Sequence, residues 1–293
     1  MEGRSESERK EVPKTDVRRT VDFGSYAGVG TREVEALRKI STHILKDLPT
    51  DVGVHRNMDI IDNITIISGY WRIPNKYSHY HYNQWFQHSL KINQLTYFFC
   101  ENQEEIDYIK QFRGKLPTIY IIYPLSGFNS NRFYNPYWIH PIHVPSSELG
   151  KIWHEKIHLM KLVKDNYQPN QEFFIWCDAG VCVYRDHAPP PIRLNLKDIN
   201  SLPHDKFCYS DPEHLYEHHN FSGTVYIIHR DLIDTIYDLY MEYVDKCAEK
   251  YNDWRCGSDQ FILTEMMKDH PHLFYKLASG YGMNIQELYV KHV

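Results

Sequence analysis

Asp178, Lys156 and Asp259 are the side chains whose type and setting point to chemistry. Asp178 closes the run FFIWCDAG, Phe173–Gly180. Phe173, Phe174, Ile175 and Trp176 run on without polar alternation, the pattern of a strand buried on both faces. The aspartate then falls where the strand leaves the core, and small Ala179 and Gly180 let backbone or ligand come close. Open α/β sheets bind ligands outside the carboxyl ends of their strands. A carboxylate there can seat a divalent metal that carries a phosphorylated donor.

Lys156 lies on a helix predicted from a Ser146 or Ser147 cap through Val163, three residues from Trp153 and near the same face. Because this helix feeds the Phe173 strand, it borders the region of Asp178. Lys156 would either neutralise a diphosphate or stand solvated. Asp259 follows Gly257-Ser258 at the start of a helix predicted to run to Met267. A first-turn acid caps exposed N–H groups, and equally could act as a general base or, with Gln260, as a polar group toward a bound sugar. Ser222-Gly223 before a strand allows close ligand approach, or simply a bend.

The elements that must position these residues alternate. Strands are predicted at Ile64–Ile67, Leu95–Phe99, Thr118–Tyr123, Phe173–Cys177 and Thr224–Ile228. Helices are predicted at His81–Ile92, Gln103–Phe112 and Leu232–Lys250. Residues 1–20 are almost wholly polar and read as a disordered tail. Residues 21–58 are expected to form a helical extension, with apolar residues at helical spacing from Thr31 to Leu48. Residues 59–293 make one α/β domain.

Composition excludes several classes. With 33 basic and 38 acidic residues mixed along 293, the formal charge is −5 and no nucleic-acid footprint is visible. No apolar run is long enough to span a bilayer, and the charged N-terminus is no signal peptide, so a soluble, cytoplasmic protein is expected. The abundance of Tyr and Ile suits AT-rich coding and a virus-encoded protein. Six cysteines without a CxxC pair read as reduced thiols. His229–Leu232 and Asp22–Gly24 mimic kinase triplets, but in reversed order and without the glycine-rich loop. Gly24–Gly30 has no trailing lysine and is no P-loop. His204, Cys208, His214 and His218 match zinc spacing poorly and read as surface histidines.

Taken in order, ITIISGYWRI, NQWFQHSLKI, SSELGKIWHEKIHLM, FFIWCDAGVCVYRD, SGTVYIIHR and GSDQFILTEMMKDHPHLF resemble the HtrL/YibB-like glycosyltransferase family of the GT-A superfamily, over about Asp59 to Gly282. The resemblance implies a GT-A type fold, with a Rossmann-like mixed central sheet flanked by helices. It implies a hexosyl- or pentosyltransferase that moves a sugar from a nucleotide-sugar donor, a UDP-sugar, to a glycan or glycoprotein hydroxyl. It also implies Mn²⁺ or Mg²⁺ on Asp178, with His292 as a late second ligand. The family's Asp-x-Asp is here Asp178-Ala179-Gly180, so the second acid is missing from its usual place.

On this reading Ser68, Gly69 and Tyr70 receive the nucleoside, with Tyr70 or Trp71 stacking on the base, although such aromatics more often fill a core. Arg72 and Lys156 add positive charge, and Trp176, Gly180, Gly223 and Gln260 complete the donor site. Asp259 takes the acceptor proton if configuration inverts, or positions the sugar if it is retained. The alternative is a non-catalytic nucleotide-sugar or carbohydrate-binding protein on the same fold, and a further one is an interaction protein with an aromatic-rich surface.

Overall fold

β-Branched and aromatic residues fill the strands, and the pleat sends alternate side chains to two separate cores. A computed structural model describes residues 64–167, 171–194, 199–213 and 219–290. The tail and helical extension expected over residues 1–58, the two kinase-like and P-loop-like segments near Gly24, and His214, His218 and His292 all lie outside them.

Seven strands form one mixed sheet: β1 (Ile64–Tyr70), β2 (Thr96–Cys100), β3 (Thr118–Ile122), β4 (Phe173–Cys177), β5 (Phe207–Asp211), β6 (Val225–His229) and β7 (Phe274–Ser279). Their order is β3-β2-β1-β4-β6-β5-β7. The first four strands are parallel, as are β5 and β7, while β6 runs against both its neighbours. Among the described residues six helices flank the sheet: α1 (His79–Ser89), α2 (Gln103–Arg113), α3 (Ser147–Asn166), α4 (Ile233–Lys250), α5 (Asp259–Asp269) and α6 (Met283–Val290). No described helix is long and apolar enough to cross a membrane.

Ile67, Tyr97, Phe99, Phe174, Trp176, Tyr226 and Ile228 face α3, α4 and α5 in the larger core. On the other face, Ile64, Ile66, Phe173, Ile175 and Ile227 pack with Ile285 and Leu288 of α6. Tyr70, Phe98 and Cys100 meet Phe86 of α1 and Ile106 and Ile109 of α2. Each such side chain withdrawn from water contributes about 1.5–3 kcal/mol. All six cysteines are free, and five are buried, as reduced packing residues would be.

Two features place the site. From β1 the chain winds outward to β2 and β3, then returns to lay β4 on the other side of β1. The crevice beyond the ends of β1 and β4 is therefore the point where the winding reverses, and Asp178 follows β4 there. Because β6 is antiparallel to β4, pairing Cys177 with Val225, the start of β6 sits beside Asp178. The Asp178 N–H donates to Thr224 O at 2.9 Å and ties the two loops together.

Within the described residues the helix and strand expectations hold with shifts of a few residues. β1 runs on through Ser68-Gly69 to Tyr70, and α1 starts at His79. Strands β5 and β7 and helix α6 were not anticipated.

Candidate active site

Helix α3 carries the central cation. Ser146 Oγ accepts the Leu149 N–H at 3.2 Å and fixes where the helix starts. From there Leu149, Lys156, Met160 and Val163 recur at helical spacing on the buried side. Lys156 therefore occupies a core position, and its side chain is only 3% exposed. Its ammonium has three acceptors: Gly223 O at 2.6 Å, Asp259 Oδ2 at 3.0 Å and Asp178 Oδ1 at 3.3 Å. They match the three N–H donors of a lysine. Burial pulls the Lys156 pKa down, but Asp178 and Asp259 outweigh it, and the net shift is upward. It stays charged at neutral pH.

Asp259 is the first residue of α5 and is 4% exposed. Its Oδ1 accepts the Gln260 N–H at 2.9 Å; its Oδ2 accepts the Tyr226 hydroxyl at 2.6 Å and meets Lys156. Both oxygens are thus engaged, which suits a carboxylate that caps and orients better than one that collects a substrate proton. Asp178 differs. Its Oδ1 accepts the Trp176 indole N–H at 2.7 Å as well as facing Lys156, yet the side chain is 31% exposed. Oδ2 has no hydrogen-bond partner among the described residues. Burial raises the Asp178 pKa against the opposing pull of Lys156.

The triad borders a cavity of about 460 Å³, whose wall includes Lys76, Tyr77, Trp153, Arg185, Gly223, Trp254 and Gln260. A smaller hollow of about 90 Å³ is lined by Gly69, Tyr70, Tyr82, Trp176 and Gly180 and shares Trp153, Lys156, Asp178 and Arg185 with the first. Gly223 lies close against the site: a Cβ there would lie 3.0 Å from Gln260 Cγ and 3.4 Å from Asp259 Oδ1. Behind the triad, His154 Nε2 faces Cys256 O and Nδ1 faces the Tyr240 hydroxyl, each at 2.8 Å. A carbonyl only accepts, so Nε2 carries the proton and neutral imidazole satisfies both contacts. Burial lowers its pKa to about 4.

No family model matches the sequence, and no curated protein matches it. Glycosyltransferases are among the solved structures that the chain is similar to. Mouse xyloside xylosyltransferase 1 is 11% identical over 73% of this chain and 84% of its own, at a TM-score of 0.49. GlyE from Streptococcus pneumoniae is 14% identical over 73% of this chain and 44% of its own, at 0.41. Core-mannan synthase A from Aspergillus fumigatus, in an Mn/GDP form, is 11% identical over 72% and 70%, at 0.38. Likeness at this level says nothing of what this chain does, and the HtrL/YibB resemblance rests on the sequence.

The expected site residues fall into three groups. Lys156, Asp178, Gly223, Asp259 and Gln260 come together on the larger cavity. Gly69, Tyr70, Trp176 and Gly180 line the smaller hollow. Ser68 and Arg72 line neither: Ser68 is 4% exposed, and Arg72 turns out to Glu104 at 3.7 Å and over the Tyr108 ring. Arg72 is thus a surface residue, because the chain after β1 carries it toward α2. Tyr70 and Trp71 are core aromatics. Tyr70 packs edge-on against Phe86 and bonds His79, and Trp71 donates to Tyr123 O. Trp176 is 1% exposed and acts by holding Asp178.

Lys76 and Arg185 were missed. Arg185 lay inside the quoted FFIWCDAGVCVYRD motif, seven residues past Asp178; Lys76 gave no signal in its loop.

The expected divalent ion fits these residues poorly. Asp178 offers one unengaged oxygen, and the carboxylate nearest to it, Asp259, is taken up by Lys156, Tyr226 and Gln260. The described residues contain no group of three His, Cys, Asp or Glu side chains able to hold a metal. At the place of the second acid stands Gly180, whose carbonyl accepts from Arg185 Nε at 3.0 Å.

Proposed function

We propose that this chain transfers a sugar from a nucleotide diphosphate sugar, a UDP-sugar, to a glycan hydroxyl. One observation carries the reading. A buried lysine bridges two aspartates on a cavity beyond the carboxyl ends of β1 and β4, where the sheet reverses its winding. The GT-A resemblance of the sequence agrees with it. The polar end of that cavity, with Asp178, Gly223 and Gln260, suits the hydroxyls of a sugar, and its basic wall suits a diphosphate.

The division of labour follows from burial and partners. Lys156 holds Asp178 and Asp259 at fixed separation and keeps two neighbouring carboxylates from repelling each other. Asp259 is a positioning residue that acts through Lys156, in place of the general base expected from its sequence position. Asp178 Oδ2, open to the cavity, takes the acceptor hydroxyl proton. The acceptor oxygen then bonds to the anomeric carbon as the bond from that carbon to the diphosphate oxygen breaks, and the nucleoside diphosphate leaves with the electron pair. A carboxylate with a raised pKa is the better base for this step. The divalent ion implied by the resemblance enters no step.

The test is turnover of a panel of UDP- and GDP-sugars, read as release of nucleoside diphosphate and as product mass. Asp178→Asn keeps an oxygen for the Trp176 N–H but cannot take a proton. We expect it to lower turnover by on the order of 10²–10⁴-fold while the protein stays folded. In the wild type, rate rises with pH through an acid limb lying above the ordinary carboxylate range, as Asp178 loses its proton; the variant lacks that limb. Binding without release of nucleotide would instead support a non-catalytic sugar-nucleotide-binding protein.

A further inference from the structure

We infer that the diphosphate of the donor is held by side-chain cations, Arg185 foremost and Lys76 with it, and that this subsite works without a divalent ion. The inference rests on the proposed donor class but makes a separate claim about it. Arg185 is fixed from two sides. Its Nε donates to Gly180 O at 3.0 Å, and its guanidinium carbon lies 3.7 Å from the centre of the Trp85 ring and 5.2 Å from that of Tyr77. A guanidinium stacked on an indole keeps its plane while its remaining N–H groups stay available. Arg185 has no carboxylate partner among the described residues, and it lines both the larger cavity and the smaller hollow. A planar fork with free donors beside two joined hollows is suited to paired phosphate oxygens.

Lys76 supplies the second charge. Its ammonium stands 4.8 Å from the centre of the Trp153 ring, on the wall of the same cavity, and it too lacks a carboxylate partner among the described residues. The charge balance then favours an anion. Lys156, Asp178 and Asp259 sum to one negative charge, Arg255 on the same wall is offset by its pairing with Asp253, and Lys76 and Arg185 bring the site to one positive charge before any ligand enters. Gly180 completes the case. It is the residue two past Asp178, a Cβ on it would already lie 3.3 Å from Trp85 and Tyr82, and its carbonyl is what anchors Arg185. A side chain able to carry a second metal-binding carboxylate would crowd the same aromatic wall that holds the arginine. The chain has a fixed cation where a paired-acid site would recruit a soluble one.

The experiment is calorimetric titration of inorganic pyrophosphate and of UDP into the full chain, once with excess EDTA and once with saturating Mn²⁺. We expect both ligands to bind in EDTA with affinities close to those in Mn²⁺. Arg185→Ala should weaken both by about 10–100-fold, the loss of charge-assisted hydrogen bonds to phosphate. Arg185→Lys, which keeps the charge and loses the fork, should fall between. Thermal unfolding shows that each variant is folded. Binding of pyrophosphate or UDP only when Mn²⁺ is present overturns the inference, as does wild-type affinity in both Arg185 variants or no pyrophosphate binding under either condition. Sugar transfer that requires Mn²⁺ would keep the proposed function and remove this subsite. Pyrophosphate binding in EDTA without transfer of any sugar would do the reverse.

Discussion

Glu155 and Lys156 are neighbours on α3, both buried, and they serve opposite ends. The Glu155 carboxylate is wholly enclosed: it accepts the Asn129 and Ser130 N–H groups at 2.9 Å each and the Tyr123 hydroxyl at 3.2 Å. It pins the loop between β3 and α3, and no described cavity reaches it. Lys156 is equally satisfied, yet all three of its partners line an open groove. Both residues meet the rule that a buried charge must be paired or hydrogen-bonded. What separates them is whether the partners have a face left for something else. Burial of a charge marks a structural cost; an unengaged oxygen such as Asp178 Oδ2 beside it marks a site.

Glu155→Ala would strand two backbone N–H groups and a hydroxyl, a loss of about 3 kcal/mol. We expect the melting temperature to fall by about 6–12 °C for a domain of this size, with kcat/KM for nucleotide-sugar turnover unchanged below the transition. A fall in kcat/KM with no change in melting temperature would move Glu155 into the site.

His154 offers a test by pH. Its folded pKa of about 4 lies below the unfolded value of 6.5, so above pH 6.5 neither state holds the extra proton and stability is fully present. As pH falls from 6.5 toward 4, the unfolded chain binds a proton that the native chain refuses, and stability declines by up to about 3 kcal/mol. Thermal scans across that window should show a steeper acid loss in the wild type than in His154→Gln. Parallel curves would mean that His154 is protonated in the fold.

The smallest effect belongs to Arg72→Ala. The Arg72–Glu104 pair is solvent-exposed, and its loss should cost at most about 1 kcal/mol and leave donor affinity as it was. Weakened nucleotide binding in this variant would restore Arg72 to the donor site.

Much of the fold was legible because β1 to β4 and β6 are apolar runs bounded by polar residues, α2 and α3 carry capping residues, and α4 has a periodic apolar stripe. Strand β5, Phe207–Asp211, ends in Tyr209-Ser210-Asp211, which reads as a turn, although the segment is buried throughout. Strand β7 is half exposed and carries Lys276 at its middle, paired with Asp211, so tertiary pairing made a strand of a weak pattern. In the site, Asp178 was visible from the apolar run that ends on it, and Lys156 and Asp259 from their helices. Their convergence was not visible, since it depends on β6 running antiparallel to β4 and delivering Gly223 beside Asp178. Arg185 and Lys76 sit on loops whose course no periodicity records. Tyr70 and Trp71 look the same in sequence whether they stack on a base or on Phe86 and Phe128.

On the function proposed above, Lys156 with its two aspartates is the working centre of the cleft. The direct measurement is kcat/KM for nucleotide-sugar turnover in Lys156→Met beside Glu155→Ala, each assayed below its own unfolding transition. We expect a loss of at least about 10²-fold in the lysine variant, comparable to losing a group that organises the transition state, and a wild-type value in the glutamate variant. Equal turnover in the two would contradict it.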